Sequence, residues 1–139
     1  MTSTASTEAI LEPDLPIIDP HHHLWDWPAA VLAAAPDHGF TTVVRRARRY
    51  LLPEFLSDLN TGHNIRATVF VQCGAMYRAD GPEDFKPVGE TEFVNGVAAM
   101  CASGNYGPIR ACAGIVGHVD LTAGAAVSEV LEAHNENSG

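Results

Sequence analysis

Apolar positions recur along this chain with two spacings. Leu52, Phe55, Leu56 and Leu59 fall at i, i+3, i+4 and i+7, which predicts a helix with one apolar face. Pro53 suits its first turn and Gly62 its end. Phe93, Val97, Met100 and Cys101 predict a second helix, with Thr91 as its cap and Gly104 closing it. Val127, Val130, Leu131 and His134 predict a third. Between these lie short apolar runs rich in β-branched residues: Ile17-Ile18-Asp19, Ile65 to Cys73, and Ile109 to Val116. These read as strands. A single helical turn fits Ala29 to Ala35, in a stretch broken by Pro28, Pro36 and Gly39. Residues 1–15, rich in Thr, Ser, Ala and Glu, show no period and read as a disordered tail.

Strand and helix alternate three times, and the strands are apolar on both faces. That order predicts an α/β fold with a parallel sheet of right-handed βαβ units. The three strands are expected side by side in chain order, with helices on one face. No phosphate-cradling glycine motif is present. Seventeen residues, GAMYRADGPEDFKPVGE, follow Cys73 before Thr91. A connection that long, leaving the C-terminal end of a strand, is a candidate functional loop.

Composition narrows the partners. Seventeen acidic against eight basic residues give a net charge of −9, which disfavours nucleic acid and anionic membranes. Four of the basic residues, Arg45, Arg46, Arg48 and Arg49, crowd into five positions and read as a solvated loop or helix start. No apolar run approaches the roughly 18 residues of a membrane span, and residues 1–15 do not have the pattern of a secretion signal. Three cysteines without a C-x-x-C pair fit a reducing, cytoplasmic setting.

The candidate chemistry gathers at the end of the first strand. His21 and His23, two apart on an extended chain, point to one side and can reach one metal ion, while His22 points away. Gln72 at the end of the second strand and His118 after the third are candidate substrate contacts. Tyr77, Arg78, Lys86 and Glu90 in the long loop could grip a carboxylated or hydroxylated substrate. Trp25 and Trp27 could wall the site. Cys73 and Cys112 read as buried strand residues, with no third group to orient a Cys/His pair. His38, His63 and His134 are expected on loops or helix ends.

The segment IIDPHHHLWD, residues 17–26, resembles the first-strand motif of the amidohydrolase superfamily, in its lactonase-like amidohydrolase 2 branch. There an apolar strand runs into Asp-x-His-x-His and an aromatic, a pattern met here by Asp19, His21, His23 and Trp25. YLLPEFLSDL resembles that family's first barrel helix, IRATVFVQC its second strand and IRACAGIVGHVDL its third. The resemblance implies a (β/α)₈ TIM barrel with a divalent metal, usually zinc, held in part by His21 and His23. It implies hydrolysis of a lactone, ester or amide carbonyl on a small-molecule substrate; some relatives use no metal, and the wider group includes decarboxylases. Eight units at the present spacing would take about 330 residues. Residues 16–139 are therefore expected to be the N-terminal portion of such a barrel, with the catalytic residues in later strands and little activity alone. The alternatives are a non-catalytic α/β binding module, or a fragment that self-associates through uncovered strand edges or needs a second chain.

Overall fold

Three strands form the centre of the molecule in a computed structural model that describes residues 8–138. The first half of the stretch read as a tail, residues 1–7, lies outside the described residues, as does Gly139. Residues 8–15 form neither helix nor strand, but the Asn64 side chain donates to the Asp14 carbonyl at 2.9 Å.

The elements follow the chain as β1 (Ile17–His22), β2 (Trp25–Asp26), α1 (Ala29–Ala34), α2 (Gly39–Arg46), β3 (Arg49–Tyr50) and α3 (Leu52–Leu59). Then come β4 (Ile65–Val71), α4 (Val88–Ala102), β5 (Arg110–Val116) and α5 (Val127–Glu136). Strands β1, β4 and β5 pair in that order, and both pairings are parallel. The expected neighbour order of the three main strands is therefore what the fold has. Among the described residues no helix is long and apolar enough to cross a membrane.

The two faces of the sheet differ. Thr68 and Phe70 of β4 are fully buried, and Phe70 packs in one cluster with Leu52, Phe55 and Leu59 of α3 and Val94, Val97 and Cys101 of α4. Helices α3 and α4 thus cover the same face. Ala67, Val69 and Val71 alternate onto the other face and are only half-buried. Their partners Ile18 and Val116 are 65% and 49% exposed. β5 carries a bulge: between the pairs Ala67–Arg110 and Val69–Gly114 it advances four residues while β4 advances two. Cys112 sits within the bulge at φ +53°, an unusual conformation for a residue with a Cβ.

Three features depart from the sequence pattern. The stretch GFTTVVRR forms helix α2, although four of its residues are β-branched. His38 makes this helix form, because its Nδ1 accepts from the Thr41 amide at 3.3 Å, and Thr41 and Val44 are buried one turn apart. Two of the four clustered arginines, Arg45 and Arg49, are then engaged, while Arg46 and Arg48 are exposed. Arg45 donates to the carbonyls of Leu32 and Ala35 at the end of α1 and pairs with Asp37, while Arg49 pairs with Asp26 and Glu54. The second departure is the antiparallel β2–β3 pair, which ties the base of residues 27–48. Third, Thr91 does not cap its helix. α4 starts at Val88, after Pro87 and a 3₁₀ turn at Glu83–Phe85, so Thr91 lies inside it and is buried.

Candidate functional site

The end of β1 separates its three histidines as strand alternation requires. His22 turns into the helix-facing core, stacked on Phe55 with ring centroids 4.2 Å apart. His21 and His23 turn the other way, and their Nε2 atoms lie 3.2 Å apart. Their rings meet edge to face, with centroids at 4.9 Å. Two anchors fix them. The His21 amide donates to Asp19 Oδ1 at 3.1 Å, and His23 Nδ1 lies 2.7 Å from the Val71 carbonyl oxygen at the end of β4. A carbonyl only accepts, so His23 carries its proton on Nδ1, and in the neutral ring Nε2 keeps the lone pair.

That geometry suits a shared cation. Two imidazole nitrogens on a tetrahedral zinc, each at about 2.0–2.1 Å, stand about 3.3–3.4 Å apart. The observed separation is within about 0.2 Å of this. Without an ion the same distance fits a hydrogen bond from His21 to His23. Among the described residues no group of three or more His, Cys, Asp or Glu side chains is placed to hold a metal. The pair fits two positions of a coordination shell and leaves the rest to other donors.

The remaining candidate residues are spread along the same end of the sheet. Gln72 lies one residue past β4, and its amide donates to the Val116 carbonyl at 2.9 Å. By alternation it continues the Thr68–Phe70 set, on the helix side rather than the His21/His23 side. Arg78 is held against α4 by Glu92, with Nε donating to Oε2 at 3.1 Å. Lys86 pairs with Glu83 at 2.6 Å. Tyr77 is partly exposed, and its phenol is raised above the usual range, first by burial and then by the Glu90 charge. His118 follows β5, at the opposite edge of the sheet from β1. Two strand spacings amount to roughly 10 Å, so His118 does not join the histidine pair.

Glu90 proves more than a loop residue. It is buried in the first turn of α4, and its Oε1 accepts from the amides of Cys73 and Ala75, both at 2.9 Å. Its Oε2 is buried with no partner. Beside it, Gly89 lies so close to the loop that an added Cβ would stand 2.7 Å from Met76 O and Arg78 N. Met76 itself is held at φ +57°. The long connection after β4 is thereby pinned to α4 at its start.

Two further contacts join residues far apart in sequence. Thr91 Oγ1 lies 2.7 Å from His134 Nδ1, and His134 Nε2 donates to the His118 carbonyl at 2.9 Å. This clamps α4, α5 and the turn after β5 around a cavity of about 190 Å³. His22 Nε2 lies 3.5 Å from Cys112 Sγ. Burial pushes the His22 imidazole down to about 4 and the Cys112 thiol up to about 12, so both are neutral. Such a pair is not an activated nucleophile, which needs a thiolate. Cys73 is likewise raised to about 12, by burial and then by Glu90. All three cysteines are free thiols. Trp25 is buried, donating from Nε1 to the Ala47 carbonyl at 2.7 Å, and Trp27 is half-buried.

Comparison with protein-family models, with curated proteins and with solved structures finds no match.

Proposed function

We propose that this chain carries part of the site of a metal-dependent hydrolase, acting on a lactone, ester or amide carbonyl of a small molecule. The parallel sheet would then be the first arc of a (β/α)₈ barrel, with its half-buried face turned to the lumen. The observation that carries the reading is the 3.2 Å separation of the two Nε2 atoms, with the His23 tautomer fixed by Val71.

In this reading His21 and His23 hold a divalent ion, with zinc the best match to two imidazoles. The chemistry such an ion supplies is acidification of a water and polarisation of a carbonyl. The chain's own residues orient. The Val71 carbonyl keeps the His23 proton on Nδ1, the usual outer support of a metal-bound histidine. His21 must also present a lone pair from Nε2, which requires the neutral ring to carry its proton on Nδ1 rather than between the two rings. A catalytic zinc takes three protein ligands and a water, so further donors must join from outside the described residues. The exposed Ile18 and Val116 and the free edges of β1 and β5 favour a second set of strands, possessing those donors, laid against this one.

The test is zinc titration of residues 1–139, followed by competition with a chelating dye, together with a lactonase assay. Weak zinc binding that His21→Ala and His23→Ala each reduce by roughly tenfold or more is expected, with no turnover. Zinc bound equally well by the double variant would overturn the reading. Turnover by the wild-type chain, lost in His21→Ala, would overturn the need for outside donors.

A further inference from the structure

The excursion between β2 and β3 builds a cleft that the histidine pair does not account for. Trp27, Val31, Leu32, Ala35, Phe40 and Val44 line it, enclosing about 230 Å³. An engineered apolar cavity of about 150 Å³ is enough to bind benzene. Phe40 connects the cleft with the histidines: its ring lies 6.3 Å from that of His23 and 6.1 Å from that of Trp25, and it remains 41% exposed. A large aromatic left open between a concave apolar surface and a candidate metal ligand has the position of a substrate contact.

Charge decides what the cleft can hold. Its polar edge is His38 with Thr41, and these are engaged with each other, Nε2 to Oγ1 at 2.9 Å. Arg45, the nearby cation on α2, is bound to Asp37 and to the carbonyls of Leu32 and Ala35. Arg46, also on α2, is exposed and does not line the cleft, so no lysine or arginine stands in its wall to hold a carboxylate or phosphate. We propose that this cleft binds the neutral alkyl or aryl portion of a substrate whose polar, reactive group lies beside His23. The position of the reactive group rests on the hydrolase reading; the cleft and its preference for a neutral apolar group do not.

Trp27 in the wall provides the signal. Residues 1–139 are titrated with δ-decalactone, which has a pentyl tail, and with δ-valerolactone, which has none, following tryptophan emission. The tailed lactone is expected to bind saturably and roughly tenfold or more tighter, because its tail leaves water. Ala35→Phe, which fills the cleft from its rim, is expected to abolish that preference. Methyl shifts in the wild-type chain provide a check independent of any variant, and should concentrate at Val31, Leu32 and Val44. Equal affinity for the two lactones, an unchanged preference in folded Ala35→Phe, or shifts centred elsewhere would each overturn the proposal. The His21→Ala, His23→Ala double variant separates the two readings. If zinc binding proves independent of these histidines while the tail preference persists, the hydrolase reading fails and the cleft stands.

Discussion

His22 and Cys112 meet in the core with Nε2 and Sγ 3.5 Å apart, ninety residues distant in sequence and both shut away from solvent. The sulfur can give His22 only a weak hydrogen bond, and His22 Nδ1 is buried with no partner. The imidazole is held there by packing against Phe55 and Phe70, and only in its neutral form.

A pH dependence follows. Burial lowers the His22 pKa from 6.5 to about 4 in the folded chain. Between these values the unfolded chain takes up a proton that the folded chain refuses, so stability is full above about pH 6.5 and falls as pH drops. From pH 7.5 to pH 4.5 the loss due to His22 is about 2.5 kcal/mol. Urea unfolding at both pH values should show it, and His22→Phe should remove that share of the slope. An equally steep slope in His22→Phe would assign it to other groups.

The thiols should be slow. With Cys73 and Cys112 raised to about 12, their thiolate fraction near neutral pH falls by roughly a thousandfold against an ordinary cysteine. Ellman's reagent is expected to label the native chain slowly and all three cysteines at once in denaturant. A fast native phase lost in Cys112→Ser would contradict the neutral His22–Cys112 pair.

Glu90 should matter through two amides. Glu90→Ala leaves the buried Cys73 and Ala75 N–H groups without their acceptor, at a cost of about 3 kcal/mol. Glu90→Gln keeps a carbonyl oxygen there and should cost about 1 kcal/mol. Hydrogen exchange at Cys73 and Ala75 is the measurement; protection that survives Glu90→Ala would show that the loop is fixed by something else.

Gly89→Ala should run against helix propensity. In an open helix the change stabilises by up to about 1 kcal/mol. Here the new methyl meets backbone on two sides at 2.7 Å, so a net loss of about 2 kcal/mol or more is expected from thermal or urea unfolding. A stabilised variant would mean that the Met76–Arg78 segment yields freely.

Local patterns were enough to read β1, β4, β5, α3 and α5, because each element's period matches the face it buries. The opposed directions of His22 and its two neighbours follow from the same alternation. What was hidden depends on tertiary contact. α2 is a helix against the preference of its Thr-Thr-Val-Val run because His38 caps it and Thr41 and Val44 are buried. Glu90 looked like a loop residue because the apolar spacing and the Thr91 cap start the helix after it, whereas α4 begins at Val88, directly after Pro87. No local signal pairs Thr91 with His134, or His22 with Cys112. The second contact depends on the bulge that gives β5 two extra residues against β4.

The β2–β3 pair closes residues 27–48 at their base through the Trp25–Tyr50 and Asp26–Arg49 pairs and the Trp27 amide on the Arg48 carbonyl at 2.8 Å. A segment tied in this way is an interchangeable cassette. Closing a longer or shorter loop across fixed ends changes the entropy only slowly with length. The wall beside His23 can therefore change in length and lining while β1 keeps its histidines and α3 its seat in the core.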